Sequence, residues 1–202
     1  MGNIFVTASP SGGGKTTINR QLLKMLPNLK LSISYTTRSP RPRDKEGVDY
    51  YFIDEKEFKD KIKNNDFVEY AKVHGCYYGT SASKMNELLA KSYDVLLEID
   101  VQGAAQIKKQ FSNACLIFIL PPTMQVMIDR LKARQTENDT QLKVRLDTAK
   151  KELEEIHNYD YIVVNDDLET AVNDMMRIIE TVGLKVENNK DFIDRFFNNK
   201  ND

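Results

Sequence analysis

The sequence predicts an α/β fold in which a mostly parallel β-sheet is covered by helices on both faces. Strand-like segments alternate with helical segments of about 10–15 residues, which is the spacing of βαβ units. Two strand-like segments, residues 93–99 and 114–120, are almost continuously apolar, as expected of strands buried on both faces. A third, which begins at Ile4, runs into a glycine-rich turn that is followed at once by a helix.

The composition is ordinary for a globular chain with a sizeable core. Of the 202 residues, 41% are hydrophobic and 29% are charged, and the net charge is −1. A balanced charge gives no general attraction to nucleic acid or to an anionic membrane, and we expect neither as a partner. The two cysteines, Cys76 and Cys115, are interpreted as packing residues. We therefore expect a cytoplasmic protein, and a homo-oligomer is compatible with the sequence.

Hydrophobic periodicity and turn residues predict the individual elements. Beyond those already named, strands are expected at 29–35, 48–53, 67–73 and 159–164, and a turn at 75–80. Helices are expected at 18–26, from Asp54, at 81–91, from Gln102, and at 124–132, 141–157 and 168–182. Residues 36–82 are interpreted as a small strand-rich insertion, and the tail, 185–202, as a frayed helix or an interaction segment.

The glycine-rich turn predicts a site for a nucleoside triphosphate. Glycines allow backbone N–H groups to surround an anion, and the N-terminus of the following helix adds further donors. Lys15 supplies a charge for the β- and γ-phosphates, and the Thr16 hydroxyl is suited to ligate Mg²⁺. The residues expected to hold the phosphates are Ser11, Gly12, Gly13, Gly14, Lys15, Thr16 and Thr17.

Further charged residues are expected at the same edge of the sheet, because ligands of open α/β sheets bind at the carboxyl ends of the strands. Glu98 and Asp100 lie at the end of one core strand, and Asn165 lies at the end of the last. The loop 36–47 carries the arginines Arg38, Arg41 and Arg43, which suit a second phosphate, although a solvated linker would have a similar composition. Another cationic cluster flanks the polar segment 133–139 and consists of Arg130, Arg134 and Arg145.

These motifs together resemble guanylate kinases of the bacterial type, from about residue 3 to residue 183. The resemblance rests on residues 9–16 (SPSGGGKT), 34–41 (SYTTRSPR), 50–52 (YYF), 78–80 (YGT), 98–103 (EIDVQG) and 164–167 (VNDD), and on Glu69, Arg134 and Arg145. It implies transfer of a phosphoryl group from Mg-ATP to GMP. It also implies a P-loop core (1–35, 83–123 and 158–184), a GMP-binding insertion (36–82) and a helical lid (124–157).

The resemblance also implies roles for individual residues. The GMP phosphate would be held by Arg38, Arg41, Tyr50 and Tyr78, and guanine by Ser34, Glu69, Thr80 and Asp100. The transferring phosphoryl group would be stabilised by Lys15, Arg41, Arg134 and Arg145. Asn165 would lie near the adenine of ATP.

The sequence departs from the family pattern at Ser9, at Arg43 and Asp44, at Glu98 and at Gln135. Two alternative functions share the predicted architecture. One is a kinase that acts on a phosphorylated sugar, and the other is a catalytically inactive scaffold domain that binds phosphopeptides. The lysine of the glycine turn and the lid arginines argue against the scaffold, since loss of catalysis would make these residues dispensable.

Overall fold

The computed structural model describes residues 2–133 and 139–198, whose strands form two sheets. The strands are β1 (Ile4–Ala8), β2 (Leu29–Leu31), β3 (Tyr35–Thr36), β4 (Tyr51–Phe52), β5 (Phe67–Val73), β6 (Cys76–Ser81), β7 (Asp94–Glu98), β8 (Cys115–Leu120) and β9 (Tyr161–Val164). The first sheet is parallel, in the order β2-β7-β1-β8-β9. The second has the order β4-β3-β6-β5 and is mainly antiparallel. The predicted α/β fold is confirmed.

Helices connect the strands and cover the parallel sheet. They are α1 (Lys15–Met25), α2 (Glu55–Lys63), α3 (Ala82–Ala90), α4 (Val101–Gln110), α5 (Met124–Lys132), α6 (Asp139–Glu154), α7 (Leu168–Gly183) and α8 (Lys190–Asn198). Short 3₁₀ turns follow α6 at Glu155–Asn158 and α7 at Val186–Asn188. Among the described residues, no helix combines the length and apolar character needed to cross a membrane.

Two apolar cores lie on opposite faces of the parallel sheet. Phe5 of β1 packs with residues of α1 and α7, such as Leu22 and Met175. The next residue, Val6, packs on the other face with residues of α3 and α4, including Ile107. Successive side chains of a strand point to opposite faces, so the buried run in β1 is covered by helices on both sides.

The prediction of one strand over residues 29–35 is wrong. The chain leaves the parallel sheet at Ser32, whose N–H donates to the carbonyl of Leu96 at 3.0 Å. It joins the second sheet at Ser34, whose carbonyl accepts from the N–H of Tyr51 at 2.9 Å. Polar and apolar residues alternate through the crossing, although Ser32 and Ser34 are buried there and Leu31 and Ile33 are partly exposed. The alternation therefore conceals the change of sheet.

The prediction of a turn over residues 75–80 is also wrong. Strand β6 occupies most of that range, and the reversal is confined to His74 and Gly75, with φ of 48° and 85°. Positive φ at both central residues is the geometry of a tight hairpin turn. Gly79 suggested a turn, yet it lies within the strand. A glycine is present there because a Cβ would come within 3.0 Å of the Phe58 ring.

Other expectations hold with shifted boundaries. The helix predicted at 124–132 is observed as α5, whereas α1 begins at Lys15 rather than at residue 18. The strand predicted at 48–53 is limited to β4, and the helix predicted to reach residue 157 gives way to a 3₁₀ turn after Glu154. Part of the tail forms helix α8, which exposes Phe192, Phe196 and Phe197.

Candidate functional site

The glycine-rich turn connects β1 to α1 at the carboxyl edge of the parallel sheet. Gly12 and Gly14 have φ of 92° and 89°, a left-handed conformation that glycine adopts without steric cost. A Cβ on Gly14 would also lie 2.0 Å from Nδ2 of Asn165, which donates to the carbonyl of Gly13 at 2.8 Å. The turn is therefore folded around the Asn165 side chain, and α1 begins immediately after it.

Lys15 and Thr16, the first residues of α1, contact residues at the carboxyl end of β7. Lys15 Nζ donates to the carbonyl of Ile99 at 2.8 Å, and Thr16 Oγ1 donates to Glu98 Oε1 at 2.5 Å. Asn19 Nδ2 donates to the other Glu98 oxygen at 3.0 Å. A glutamate at position 98 thus has the reach to place its carboxylate against the Thr16 hydroxyl.

The oxygen donors beside Lys15 suit a hard divalent cation. A hydroxyl and a carboxylate, from Thr16 and Glu98, are ligands or partners of bound waters that Mg²⁺ accepts. Within the described ranges, no cluster of three or more His, Cys, Asp or Glu side chains could hold a metal ion. The donors of Thr16 and Glu98 suit a Mg²⁺ ion that is bound together with nucleotide phosphates.

A pocket opens between the glycine turn and the second sheet. Its lining comes from the start of α1, the carboxyl end of β7 and the second sheet with its flanking residues, namely Lys15, Ser34, Tyr50, Glu69, Ala71, Val73, Tyr78, Glu98, Ile99 and Asp100. Glu69 is only 3% exposed, and burial raises the pKa of its carboxyl group to about 7. The pocket therefore presents a buried carboxyl acceptor to any ligand that carries N–H donors.

Two neighbours hold Glu69 in position. Thr80 Oγ1 is fully buried and donates to Glu69 Oε1 at 2.5 Å, so its only proton is committed to that carboxylate. On the other side, a Cβ on Gly103 would lie 2.4 Å from Glu69 Oε2. Gly103 belongs to the first turn of α4, which Asp100 caps by accepting the N–H of Gly103 at 2.9 Å. Glu69 and Asp100 are thus brought together at the start of one helix.

The arginine loop lines a second, adjoining pocket. Arg38, Arg41 and Arg43 all contribute to it, together with Tyr50. Arg38 pairs with Asp44 at 2.7 Å, and Asp44 also accepts the N–H of Arg41 at 2.8 Å. The Asp44 carboxylate consequently organises the loop and orients Arg38.

Aromatic rings complete the wall of this second pocket. The Arg38 guanidinium lies 5.3 Å from the centre of the Tyr50 ring, and Tyr50 contacts Tyr78 edge to face at 5.8 Å. Burial, with a smaller contribution from the charge of Glu98, raises the pKa of Tyr50 to about 12. Tyr50 therefore remains a neutral hydroxyl that can donate to an anion beside Arg38.

Two further arginines that the sequence singled out lie around the glycine turn. Arg145 of α6 places Nη1 at 3.5 Å from Ser11 Oγ. Arg130 of α5 donates to the Asn165 carbonyl at 3.0 Å, behind the turn. Arg134, with Gln135, lies outside the described residues.

One residue beside the glycine turn is missed by sequence reasoning. Glu152 of α6 is half-buried, one of its carboxylate oxygens is shielded from solvent, and burial raises the pKa of this carboxyl group to about 7. Glu152 is one of many acidic residues in a charged helix, so charge alone does not distinguish it. Its spacing of seven residues from Arg145 was the available signal, since residues seven apart lie on one helix face.

Comparison with known proteins agrees with this geometry. A sequence model of the family described as guanylate kinase matches residues 1–182. The chain is 43% identical over 195 residues to guanylate kinase of Thermotoga maritima, covering 96% of this chain and 94% of that protein. It is 45% identical over 192 residues to guanylate kinase of Neisseria gonorrhoeae, covering 95% and 94% respectively.

A solved structure gives the same result. The crystal structure of guanylate kinase from Anaplasma phagocytophilum superposes with a TM-score of 0.77 at 32% sequence identity, covering 92% of this chain and 88% of that one. Sequence and fold agree over most of the chain. The protein therefore belongs to the guanylate kinase family of nucleoside monophosphate kinases.

Proposed function

We propose that the protein transfers the γ-phosphoryl group of Mg-ATP to GMP, giving ADP and GDP. The observation that carries this proposal is the pocket in which the buried carboxylate of Glu69 lies across from Lys15 of the glycine turn. One side of that pocket suits a nucleobase with N–H donors, and the other suits a triphosphate. A cytoplasmic location, with Cys76 and Cys115 as free thiols, is part of the proposal.

Guanine would be selected by its hydrogen-bonding edge. Its N1–H and N2–H₂ groups are donors that the carboxylates of Glu69 and Asp100 can accept. Adenine lacks this pair of donors, so binding it would leave a buried carboxylate without partners, at considerable cost. Thr80 would act by orienting Glu69, to which it already donates, and Ser34 would contribute from the rim of the pocket.

The phosphate of GMP would lie in the arginine loop. Arg38 and Arg41 can each present two N–H groups to phosphate oxygens, while Tyr50 and Tyr78 donate hydroxyl protons. Asp44 pre-orders Arg38 for this contact, although its charge also competes with the incoming anion. Arg43 adds positive charge to the same wall.

The transfer itself would need positioning and charge neutralisation rather than a general base, because a phosphate oxygen of GMP is already ionised near neutral pH. The ATP phosphates would bind to the turn residues 11–17, with Asn165 on the adenine side. Lys15, Arg41 and Arg145 would stabilise the charge of the moving phosphoryl group, together with Arg134. When bound, Mg²⁺ would neutralise charge on the phosphates, held by Thr16 and supported by Glu98.

In this mechanism, each of the three segments of the chain would have a separate role. The core (1–35, 83–123 and 158–184) would bind ATP, the insertion (36–82) would bind GMP, and the lid (124–157) would close over both. Closure would exclude water from the transferring phosphoryl group. The separate sheets of the core and the insertion support this division.

An acceptor panel tests the proposal. With Mg-ATP as donor, we expect rapid ADP formation with GMP and little with AMP, dTMP or a ribose phosphate. A Lys15→Ala variant should lose about two to three orders of magnitude in kcat, since it lacks a preorganised charge. A preference for the ribose phosphate, or near-normal turnover by Lys15→Ala, would contradict the proposal.

A further inference from the structure

Strand β5 carries Glu69 and lies at the edge of the second sheet. An edge strand presents a row of backbone N–H and carbonyl groups that are not paired with another strand. Helix α4 of the core packs against β5, since Val68 shares an apolar cluster with Ala104 and Ile107. The backbone of the strand that bears the buried acid therefore runs along a helix of the core.

Gln106 of α4 supplies the hydrogen bonds that a further strand would otherwise provide. Its Oε1 accepts from the N–H of Tyr70 at 3.2 Å, and its Nε2 donates to the carbonyl of Tyr70 at 2.9 Å. A side-chain amide combines an acceptor and two donors in one planar group, so it can pair with both backbone groups of a single residue. This exchange of two hydrogen bonds has the pattern of a hydrogen-bonded pair in an antiparallel ladder.

Gln110, one turn further along α4, contacts an irregularity in β5. The ladder between β5 and β6 steps from Phe67 to Glu69 on one strand while it advances by one residue on the other, which makes Val68 the extra residue of a β-bulge. Gln110 Nε2 donates to the carbonyl of Val68 at 2.6 Å. A bulge bends its strand and redirects the side chains beside it. Gln110 thus holds the bulge at the residue that precedes Glu69.

The two glutamines and Gly103 lie on one face of α4. Their spacing of three and four residues places successive positions one turn apart. Position 103 admits the Glu69 carboxylate, since a Cβ there would lie 2.4 Å from Oε2. Gln106 and Gln110 hold the backbone on either side of Glu69. One face of the helix therefore both accommodates the carboxylate and fixes the strand that carries it.

We propose that Gln106 and Gln110 are positioning residues that hold β5 on helix α4 and thereby place the Glu69 carboxylate for recognition of guanine. The inference rests on the proposed function, because that function gives Glu69 its task. Both glutamines lie outside the lining of the pocket that contains Glu69. They would therefore act through Glu69 rather than by contact with GMP.

Glutamine-to-methionine substitutions test the inference, because methionine keeps the length of the side chain and a high helix propensity but cannot reproduce these hydrogen bonds. We expect Gln106→Met to raise the KM for GMP threefold or more, and the variant with both Gln106→Met and Gln110→Met to raise it further. The KM for ATP should stay within twofold of wild type in both.

The matched control is Lys109→Met, at an exposed position of the same helix, and it should leave both KM values unchanged. A rise of less than threefold in the KM for GMP of Gln106→Met would overturn the inference. An equal rise of the two KM values would also overturn it, because it would indicate general damage to the fold.

A double-mutant cycle shows whether the glutamines act through Glu69. The measured quantity is kcat/KM for GMP, which can be determined even where GMP no longer saturates the enzyme. In a Glu69→Ala background, Gln106→Met should lower kcat/KM less than twofold, since the carboxylate to be positioned is gone. A loss of twofold or more in that background would overturn the inference.

Amide exchange in the nucleotide-free protein separates this inference from the proposed function. Hydrogen exchange followed by NMR should be faster at the Tyr70 amide in Gln106→Met than in wild type or Lys109→Met, because the acceptor of this N–H is removed. Unchanged exchange at Tyr70 would overturn the inference even with GMP as the substrate. Faster exchange in a protein that phosphorylates a ribose phosphate in place of GMP would refute the proposed function and leave the contact between α4 and β5 standing.

Discussion

At the scale of single residues, Gly103 shapes the pocket that we propose binds guanine. A Cβ at this position would lie 2.4 Å from Glu69 Oε2, so the carboxylate can reach its place only because residue 103 has no side chain. The N–H of Gly103 also donates to Asp100, the other acid of the pocket. The proposed guanine site therefore requires a residue without a side chain at position 103.

We expect Gly103→Ala to raise the KM for GMP about tenfold or more, by displacing Glu69, a penalty of the size expected when a buried polar contact is lost. The KM for ATP should change little. Stability should be kept, because alanine favours a helix and Glu69 has a flexible side chain that can move aside. Steady-state kinetics with each substrate varied separately provides the measurement.

The matched control is Gly183→Ala, where a Cβ would meet no atom within 4 Å. It should leave both KM values at those of wild type. An unchanged KM for GMP in Gly103→Ala would show that the carboxylate of Glu69 does not need its present position.

The raised pKa of Glu69 predicts a pH dependence of stability. Burial raises this pKa from 4.5 to about 7, so in the interval between these values the unfolded chain loses its proton while the folded chain keeps it. The free energy of unfolding of the nucleotide-free protein should therefore fall as pH rises from 4.5 to 7. The loss from this one group is on the order of 3 kcal/mol and should be complete above pH 7.

Denaturant unfolding of wild type and Glu69→Gln at pH 5 and pH 8 measures this effect. Glutamine keeps an acceptor for Thr80 but does not titrate, so the variant should lose less stability than wild type between the two pH values. Parallel pH profiles for the two proteins would contradict the assignment of the raised pKa to Glu69.

At the scale of elements, α7 illustrates how one side chain stabilises a helix that carries no chemistry. Asp167 precedes α7, and its carboxylate accepts both the N–H and the hydroxyl of Thr170 at 2.8 Å. Removing such a cap leaves a backbone donor of the first turn without its partner.

Asp167→Ala should therefore lower the free energy of unfolding by about 1 kcal/mol without changing either KM. Denaturant unfolding measures the loss, with the exposed Glu180→Ala in the same helix as the control. A loss no larger than that of the control would show that the cap contributes little to stability.

The bounds of helices and strands were predictable from the sequence where the pattern of apolar residues matches the burial that the folded chain gives them. Helix α5 begins and ends where its cap residue Thr123 and its apolar spacing indicate. The strand over 29–35 was mispredicted because alternation of polar and apolar residues along the chain does not report which sheet the strand joins. Gly79 was mistaken for a turn residue, because the Phe58 and Phe67 rings that require a glycine there are remote in sequence.

At the scale of the whole molecule, the site depends on contacts between distant segments. The sequence predicted most of its members, because the glycine turn and the arginine loop carry recognisable motifs. It could not predict that Thr80 would donate to Glu69 or that Gly103 would make room for that carboxylate. Those contacts depend on how the two sheets and α4 are placed in three dimensions.

Residues 32–34 connect the two sheets, and through them the sites that we propose for ATP and GMP. The chain leaves the parallel sheet beside β7, whose end carries Glu98, and enters the second sheet beside β4, next to Tyr50. We therefore expect an ATP site and a GMP site that face each other across this connection, close enough for direct transfer of a phosphoryl group.

A crystal structure of the protein with GMP and a non-hydrolysable ATP analogue tests this arrangement most directly. We expect guanine against Glu69 and Asp100, the GMP phosphate between Arg38 and Arg41, and the triphosphate in the glycine turn with its terminal phosphate directed at GMP. A structure with GMP bound away from Glu69, or with its phosphate remote from the arginine loop, would contradict the account.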